Sequence, residues 1–200
     1  LVVVVLIFAQ LGKKKRTRQD KLFLLMLVAH MICTLSDAVN WAFDLRAETI
    51  FRVLTLAGNF LSYFVSALAY TPFLLYIMVT ATKKRKSDAK MIRASCILSA
   101  LMVLILLLNL WNGMLYTIDE NNVYHWGEWD WLFNILVFAQ LILPSVQILR
   151  SRKALERRQT GAFLAYEILP ILAILLSLIP IELTLVYPAT MISLLLLYVN

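Results

Sequence analysis

The chain predicts an all-α, polytopic membrane protein: a seven-helix transmembrane bundle filling residues 1–200 as one domain. Three observations point there. Hydrophobic residues make up 62% of the sequence and charged residues only 16%, against roughly 45–50% and 25% in soluble domains. Several apolar runs reach the ~20 residues needed to cross a ~30 Å hydrocarbon core. Seventeen of the nineteen Lys and Arg residues fall into three short clusters, at 13–21, 83–93 and 150–158, leaving only Arg46 and Arg52 elsewhere. Basic loops stay on the cytoplasmic side of a membrane, so alternate connections are expected inside.

Seven apolar segments follow in order. The first is Leu1 to Leu11, closed by Gly12 and the run Lys13-Lys14-Lys15-Arg16. The second is about Leu22 to Phe43, the third Ile50 to Ala81, the fourth Ile92 to Ile118. The fifth is about Trp131 to Leu149, the sixth Ala162 to Ile181, the seventh Ala189 to Asn200. Pro72 is expected to kink the third segment, and Pro170 and Pro180 the sixth, with Pro188 turning into the seventh. The end segments are short: at 1.5 Å per residue each covers only about 17 Å. Leu1 is not a start methionine. The chain is therefore expected to be a fragment cut inside two membrane helices, with any output domain lying beyond it.

Topology follows from the clusters. The 1–2, 3–4 and 5–6 connections are expected on the cytoplasmic side, the N-terminus outside and the C-terminus inside. The outer connections then hold Asp44, Glu48, Asp119, Glu120, Glu128, Asp130 and Glu182, seven of the twelve acids. The net charge of +7 is read as topology and contact with anionic lipid heads, not as nucleic-acid binding. Cys33 and Cys96 both fall inside apolar segments, so no disulfide is expected. No metal-ligand spacing, phosphate loop or nucleophile motif is present. No cofactor, metal or catalytic residue is expected in this chain.

Polar residues within the apolar segments are the candidates for function. His30, Thr34, Asp37, Asn40, Trp41 and Asp44 recur at helical spacing along the second segment. A carboxylate at the depth of Asp37 is costly and faces a bundle interior or a water-filled cavity. It fits either an internal hydrogen-bonded network or a ligand site. In the third segment, Gly58, Ser62 and Ser66 form a small-residue stripe for close helix approach, beside a polar stripe of Asn59, Tyr63, Ser66 and Tyr70. Asn109, Asn112 and Tyr116 share a face near the end of the fourth. Glu167 reads as snorkelling or pairing with a basic loop, or else as sitting at a helix contact that moves on signalling. The 118–128 connection concentrates acids and aromatic rings. It suits a lid over a small cationic or hydrogen-bonding ligand, or an interfacial aromatic belt with a solvated turn at Asn121-Asn122.

Two stretches carry a family resemblance. Leu35-Ser36-Asp37-Ala38-Val39-Asn40-Trp41 is similar to an LSDALSW pattern, and Ile118-Asp119-Glu120-Asn121-Asn122-Val123-Tyr124-His125-Trp126-Gly127 to an IDENNVYHRG pattern. Together they resemble the multi-helix membrane sensory input region of clostridial-type signalling proteins. Those proteins carry a diguanylate cyclase (GGDEF) or histidine kinase output. The closing Leu195-Leu196-Leu197-Tyr198-Val199-Asn200 also looks like the last helix before such a domain. Trp126 stands where that pattern has Arg, so ligand specificity is expected to differ.

The resemblance implies a bacterial cell-membrane sensor that binds a small ligand from outside. It relays the change through the last helix and works as a homodimer. Asp37, Trp41, Tyr63, Asn112, Tyr116, Tyr124, His125 and Trp126 are the expected ligand-binding residues. Two other functions fit the composition: a small-solute transporter or channel, and a membrane dimerisation scaffold.

Overall fold

A computed structural model describes residues 2–81, 86–177 and 186–199. Lys83, Lys84, Arg85, Pro180 and Glu182 lie outside the described residues. The described chain holds seven helices and one short hairpin. The helices are α1 (Val2–Leu11), α2 (Arg18–Phe43), α3 (Thr49–Thr80), α4 (Lys86–Asn112), α5 (Asp130–Ser151), α6 (Arg157–Ser177) and α7 (Val186–Val199). Between α4 and α5, strands β1 (Tyr116–Ile118) and β2 (Tyr124–Trp126) pair antiparallel, with Thr117 opposite His125.

The helix starts have local causes. Thr17 caps α2 in a capping box: its hydroxyl accepts from the Asp20 amide, and the Asp20 carboxylate accepts from the Thr17 amide at 2.9 Å. Asp130 supplies the acid in the first turn of α5, where it complements the helix dipole. Pro72, Pro144 and Pro170 all lie within helices. Neighbouring helices satisfy the backbone groups that proline frees in such a bundle.

The fourth helix ends earlier than its hydropathy suggests. Gly113, at φ 62°, takes the left-handed conformation and donates its amide to Asn109 O at 3.0 Å, a glycine C-cap. The apolar residues that follow become β1 instead of more helix. The α2–α3 turn has no glycine, and Leu45 takes the left-handed conformation there at φ 61°.

All described connections sort to two ends. At one, which carries basic residues, Gln19 of α2 bonds Thr80 of α3, and Arg150 of α5 reaches Met91 of α4. At the other, Asn122 and Ile118 of the hairpin bond Phe43 and Arg52 at the α2–α3 turn. We call these the basic end and the hairpin end. α3 is the central helix, packed against α2, α4 and α5. α7 packs on α6, with the Ser193 hydroxyl donating to Ala165 O at 3.0 Å, and also touches α2, where Tyr198 stacks near Phe23.

Two apolar clusters form the core. One lies toward the basic end and includes Phe23, Phe73, Ile77, Phe163 and Leu194. The other lies under the hairpin and includes Met102, Leu106, Leu115, Tyr116 and Phe133. Large apolar side chains also point outward along the helices, among them Ile97, Leu104, Leu108, Ile142 and Leu172. Such a girdle suits lipid, not water. Four helices are long and apolar enough to cross a membrane: α2, α3, α4 from Asp88, and α5. α1 and α7 are apolar but shorter.

Gly58 marks a close crossing of α2 and α3. A Cβ there would stand 2.8 Å from Asn40 Oδ1 and 3.2 Å from Ser36 O, while Asn59 Nδ2 donates to the same Asn40 oxygen at 3.2 Å. Gly58→Ala is therefore expected to push the helices apart and cost about 1–3 kcal/mol. Equilibrium unfolding in mixed micelles checks this; an unchanged midpoint would show that the crossing has slack.

Candidate functional site

The hairpin is fastened to the bundle at three places. On α4, Asn109 is buried; its Oδ1 accepts from the Leu115 and Tyr116 amides at 2.6 and 3.1 Å, and its Nδ2 donates to Tyr116 O at 3.3 Å. At the tip, Asn122 is fully buried in the left-handed conformation, φ 62°. Its amide donates to Phe43 O at 2.6 Å and to Thr55 Oγ1 at 3.1 Å. The turn is thus not solvated at Asn122, because that side chain is a peg seated between α2 and α3. On the bundle face, Tyr63, Tyr116 and Tyr124 stack in series, with centroids 5.1 and 5.7 Å apart.

A hydroxyl relay runs through this stack. Tyr63 donates to Asp130 Oδ1 at 2.9 Å, and the Tyr124 hydroxyl lies 2.9 Å from that of Tyr63. Burial pushes the Tyr116 hydroxyl up to about 12 and raises that of Tyr124 as well, so both stay protonated near neutrality. Asp130 Oδ2 accepts from Asn134 Nδ2 at 2.7 Å.

Beneath Trp126 lies a cavity of about 410 Å³ walled by α2, α3, α5, α6 and α7. Tyr63, Trp126, Asp130 and Asn134 surround its upper part, toward the hairpin end; His30, Cys33, Tyr70 and Tyr166 line it further in, and the Tyr187 ring packs 6.3 Å from that of His30. From Ser62 to Pro72 it follows α3 for about 15 Å. The volume falls in the usual range for small-molecule sites, and the mainly apolar wall with a few polar groups is typical of them.

Of the eight residues expected to bind ligand, the structure brings Tyr63 and Trp126 to this cavity. Tyr116 and Tyr124 stand behind Tyr63 as support. Asp37 is half-buried on α2 and has no hydrogen bond among the described residues, though it lies within electrostatic reach of Cys33 and Tyr187. Trp41 is 64% exposed and points away. Asn112 is exposed and accepts from the Met114 amide at 3.1 Å, a local turn role. His125 is exposed and pairs with Asp119 at 3.1 Å. The spacing argument missed Asp130, Asn134 and Tyr187. A signal for the first two existed: an acid with an amide four residues on, at the start of a helix. Glu167 neither snorkels nor meets a basic loop among the described residues: it is buried and accepts from the Ser145 hydroxyl at 2.7 Å.

Asp119 organises the hairpin tip. Its Oδ1 accepts from the Asn121 and Val123 amides, each at 2.9 Å. The Val123 amide and then the His125 ring hold its carboxyl below the usual carboxylate range. A lowered folded value means the contribution is present above the ordinary value of about 4 and is lost as pH falls through the folded value. The hairpin tip should thus loosen in acid. Thermal unfolding followed from pH 5 downward should show a smaller acid-induced loss in Asp119→Asn; an identical loss would rule this role out.

Among the described residues no group of three or more His, Cys, Asp or Glu is placed to hold a metal ion, and Cys33 and Cys96 are free thiols. No curated protein and no solved structure matches the chain. One family does, over residues 1–200, under the description N-terminal 7TM region of histidine kinase. With its girdle of outward apolar side chains and its single all-helical bundle, the chain belongs to that family of membrane regions from histidine kinases.

Proposed function

We propose that the chain is the sensory input domain of a histidine kinase in the bacterial cell membrane. It takes a small molecule from outside into the cavity beneath Trp126. The hairpin end faces outward and the basic end faces the cytoplasm, following the positive-inside bias of the three Lys/Arg clusters. Seven spans complete the topology. The parent works as a homodimer, and nucleic acid is not a partner. A diguanylate cyclase output is a second form of the same design, drawn only from the sequence motifs.

The observation that carries this reading is the wall of the cavity. Val186, Tyr187 and Thr190 of α7, the helix that would lead to an output domain, share it with α2, α3, α5 and α6. A ligand that fits one arrangement of these helices better than another shifts their balance by its differential affinity, and α7 carries the shift inward. Transport is less well supported. Inward from the cavity lie Phe23, Phe73, Ile77, Phe163 and Leu194, all buried and apolar. A scaffold role leaves the cavity unexplained.

The test is made in the kinase that carries this region. Thr190→Phe fills the cavity from α7 and is expected to fix autophosphorylation at one level, indifferent to stimulus. Ile192→Phe, on the exposed side of the same helix, should leave the response intact. If both variants respond like the parent, the cavity has no part in signalling.

A further inference from the structure

We propose that the cavity takes an amphiphilic organic cation: an apolar body about 10–15 Å long with an ammonium or similar group at the Asp130 end. This rests on the sensory reading above and narrows the chemistry of its ligand.

Charge is the first argument. Asp130 lies at the cavity wall with both oxygens accepting from neutral donors, Tyr63 and Asn134. A carboxylate has about four lone-pair sites, so acceptor capacity remains. No Lys or Arg lines the cavity, and no cationic side chain pairs with Asp130 among the described residues. The two cations near the hairpin end are turned elsewhere: Arg52 donates to Ile118 O at 3.1 Å, and Arg46 lies over the Phe51 ring. Asp37 adds a second acid within electrostatic reach of Tyr187. An anionic ligand would meet repulsion here, whereas a cation would be attracted to the carboxylate.

The wall supports the same class. Tyr63 bonds the acid, and Trp126 packs on Tyr124, whose hydroxyl lies beside that of Tyr63; ring faces attract organic ammonium groups. Further in, Met26, Val137 and Pro170 offer only apolar contact. His30 offers the cavity a second polar group, beside the Tyr187 ring. It lines the cavity and is 8% exposed, yet its ring makes no hydrogen bond to a described residue; only its backbone carbonyl accepts, from Thr34. A polar group at the far end of the ligand would find this imidazole within the same cavity.

Three probes with one apolar body and different heads separate the alternatives: phenylbutylamine, phenylbutanol and phenylbutyrate. Each is titrated against the full chain in lipid nanodiscs, with empty nanodiscs correcting for partition. Thermal midpoint and tryptophan fluorescence are read together. The amine should raise the midpoint saturably and bind at least about tenfold tighter than the alcohol or the acid. Asp130→Asn keeps the shape and an acceptor for Tyr63 but loses the Asn134 contact; it should erase most of that preference, each ligand shift being read from the variant's own ligand-free midpoint. Equal or tighter binding of the alcohol or the acid, an amine affinity untouched by Asp130→Asn, or binding by none of the three overturns the proposal.

Ala69→Phe fills the cavity and keeps the two levels apart. If a neutral or anionic probe binds and Ala69→Phe abolishes it, the cavity is a ligand site of another class. If the amine binds Ala69→Phe unchanged, the site is not the cavity at all.

Discussion

Asn109→Ala is expected to destabilise the bundle by about 2–5 kcal/mol and to free the hairpin from α4. The side chain satisfies two backbone amides and one carbonyl at once, and all of them are buried. Alanine would leave these three groups without partners, each worth roughly 1–3 kcal/mol when buried and unpaired. Asn109→Asp should recover little of the loss: it keeps both acceptor contacts, but its second oxygen faces Tyr116 O and its charge is buried. Denaturant titration in mixed micelles gives the energy, and amide exchange at Leu115 and Tyr116 gives the location. If Asn109→Ala unfolds within experimental error of the parent, water has reached those groups and the fastening is weaker than its geometry.

Gly127→Ala should be comparably severe, at about 1–3 kcal/mol or more, by a different route. A Cβ on Gly127 would overlap the Met114 carbonyl and crowd Leu115. Two segments of the chain meet there backbone to backbone: Gly127 donates to Leu115 O at 2.8 Å and Trp129 to Met114 O at 2.9 Å. Neither side is a flexible side chain that can swing away, so the hairpin must open. Trp126 and Asp130 flank the glycine, so the same change should disturb the cavity. The indole NMR signal of Trp126 should move in Gly127→Ala. A stable variant with an unmoved Trp126 would mean the backbone relaxes locally at little cost.

The helices were legible because an apolar run of membrane length is a strong and local signal. α2 and α3 begin and end within a few residues of where the runs do. The end of α4 was not, because Leu115 and Ile118 continue its apolar character into a strand. Hydropathy does not register a backbone reversal, although Gly113 after Asn112 was the available sign. The site was legible only in part for a related reason. Helical spacing tells which residues share a face of one helix, as His30 and Asp37 do on α2. It does not tell which neighbour that face meets, or at what depth. So Tyr63 and Trp126 reach the cavity while Trp41 and Asn112 do not. Asn122 escaped because an Asn-Asn pair between strands normally marks a solvated turn; here the second one is swallowed by α2 and α3.

That buried asparagine also imposes an order of events on folding. Asn122 grips Phe43 and Thr55, residues 79 and 67 positions earlier, so its seat exists only once α2 and α3 have already come together at the Gly58 crossing. Contacts of such sequence separation are late and entropically expensive to close. The hairpin should therefore dock as a closing step. Until it does, the cavity has no Trp126 at its mouth, and the young bundle is open where the finished one is covered.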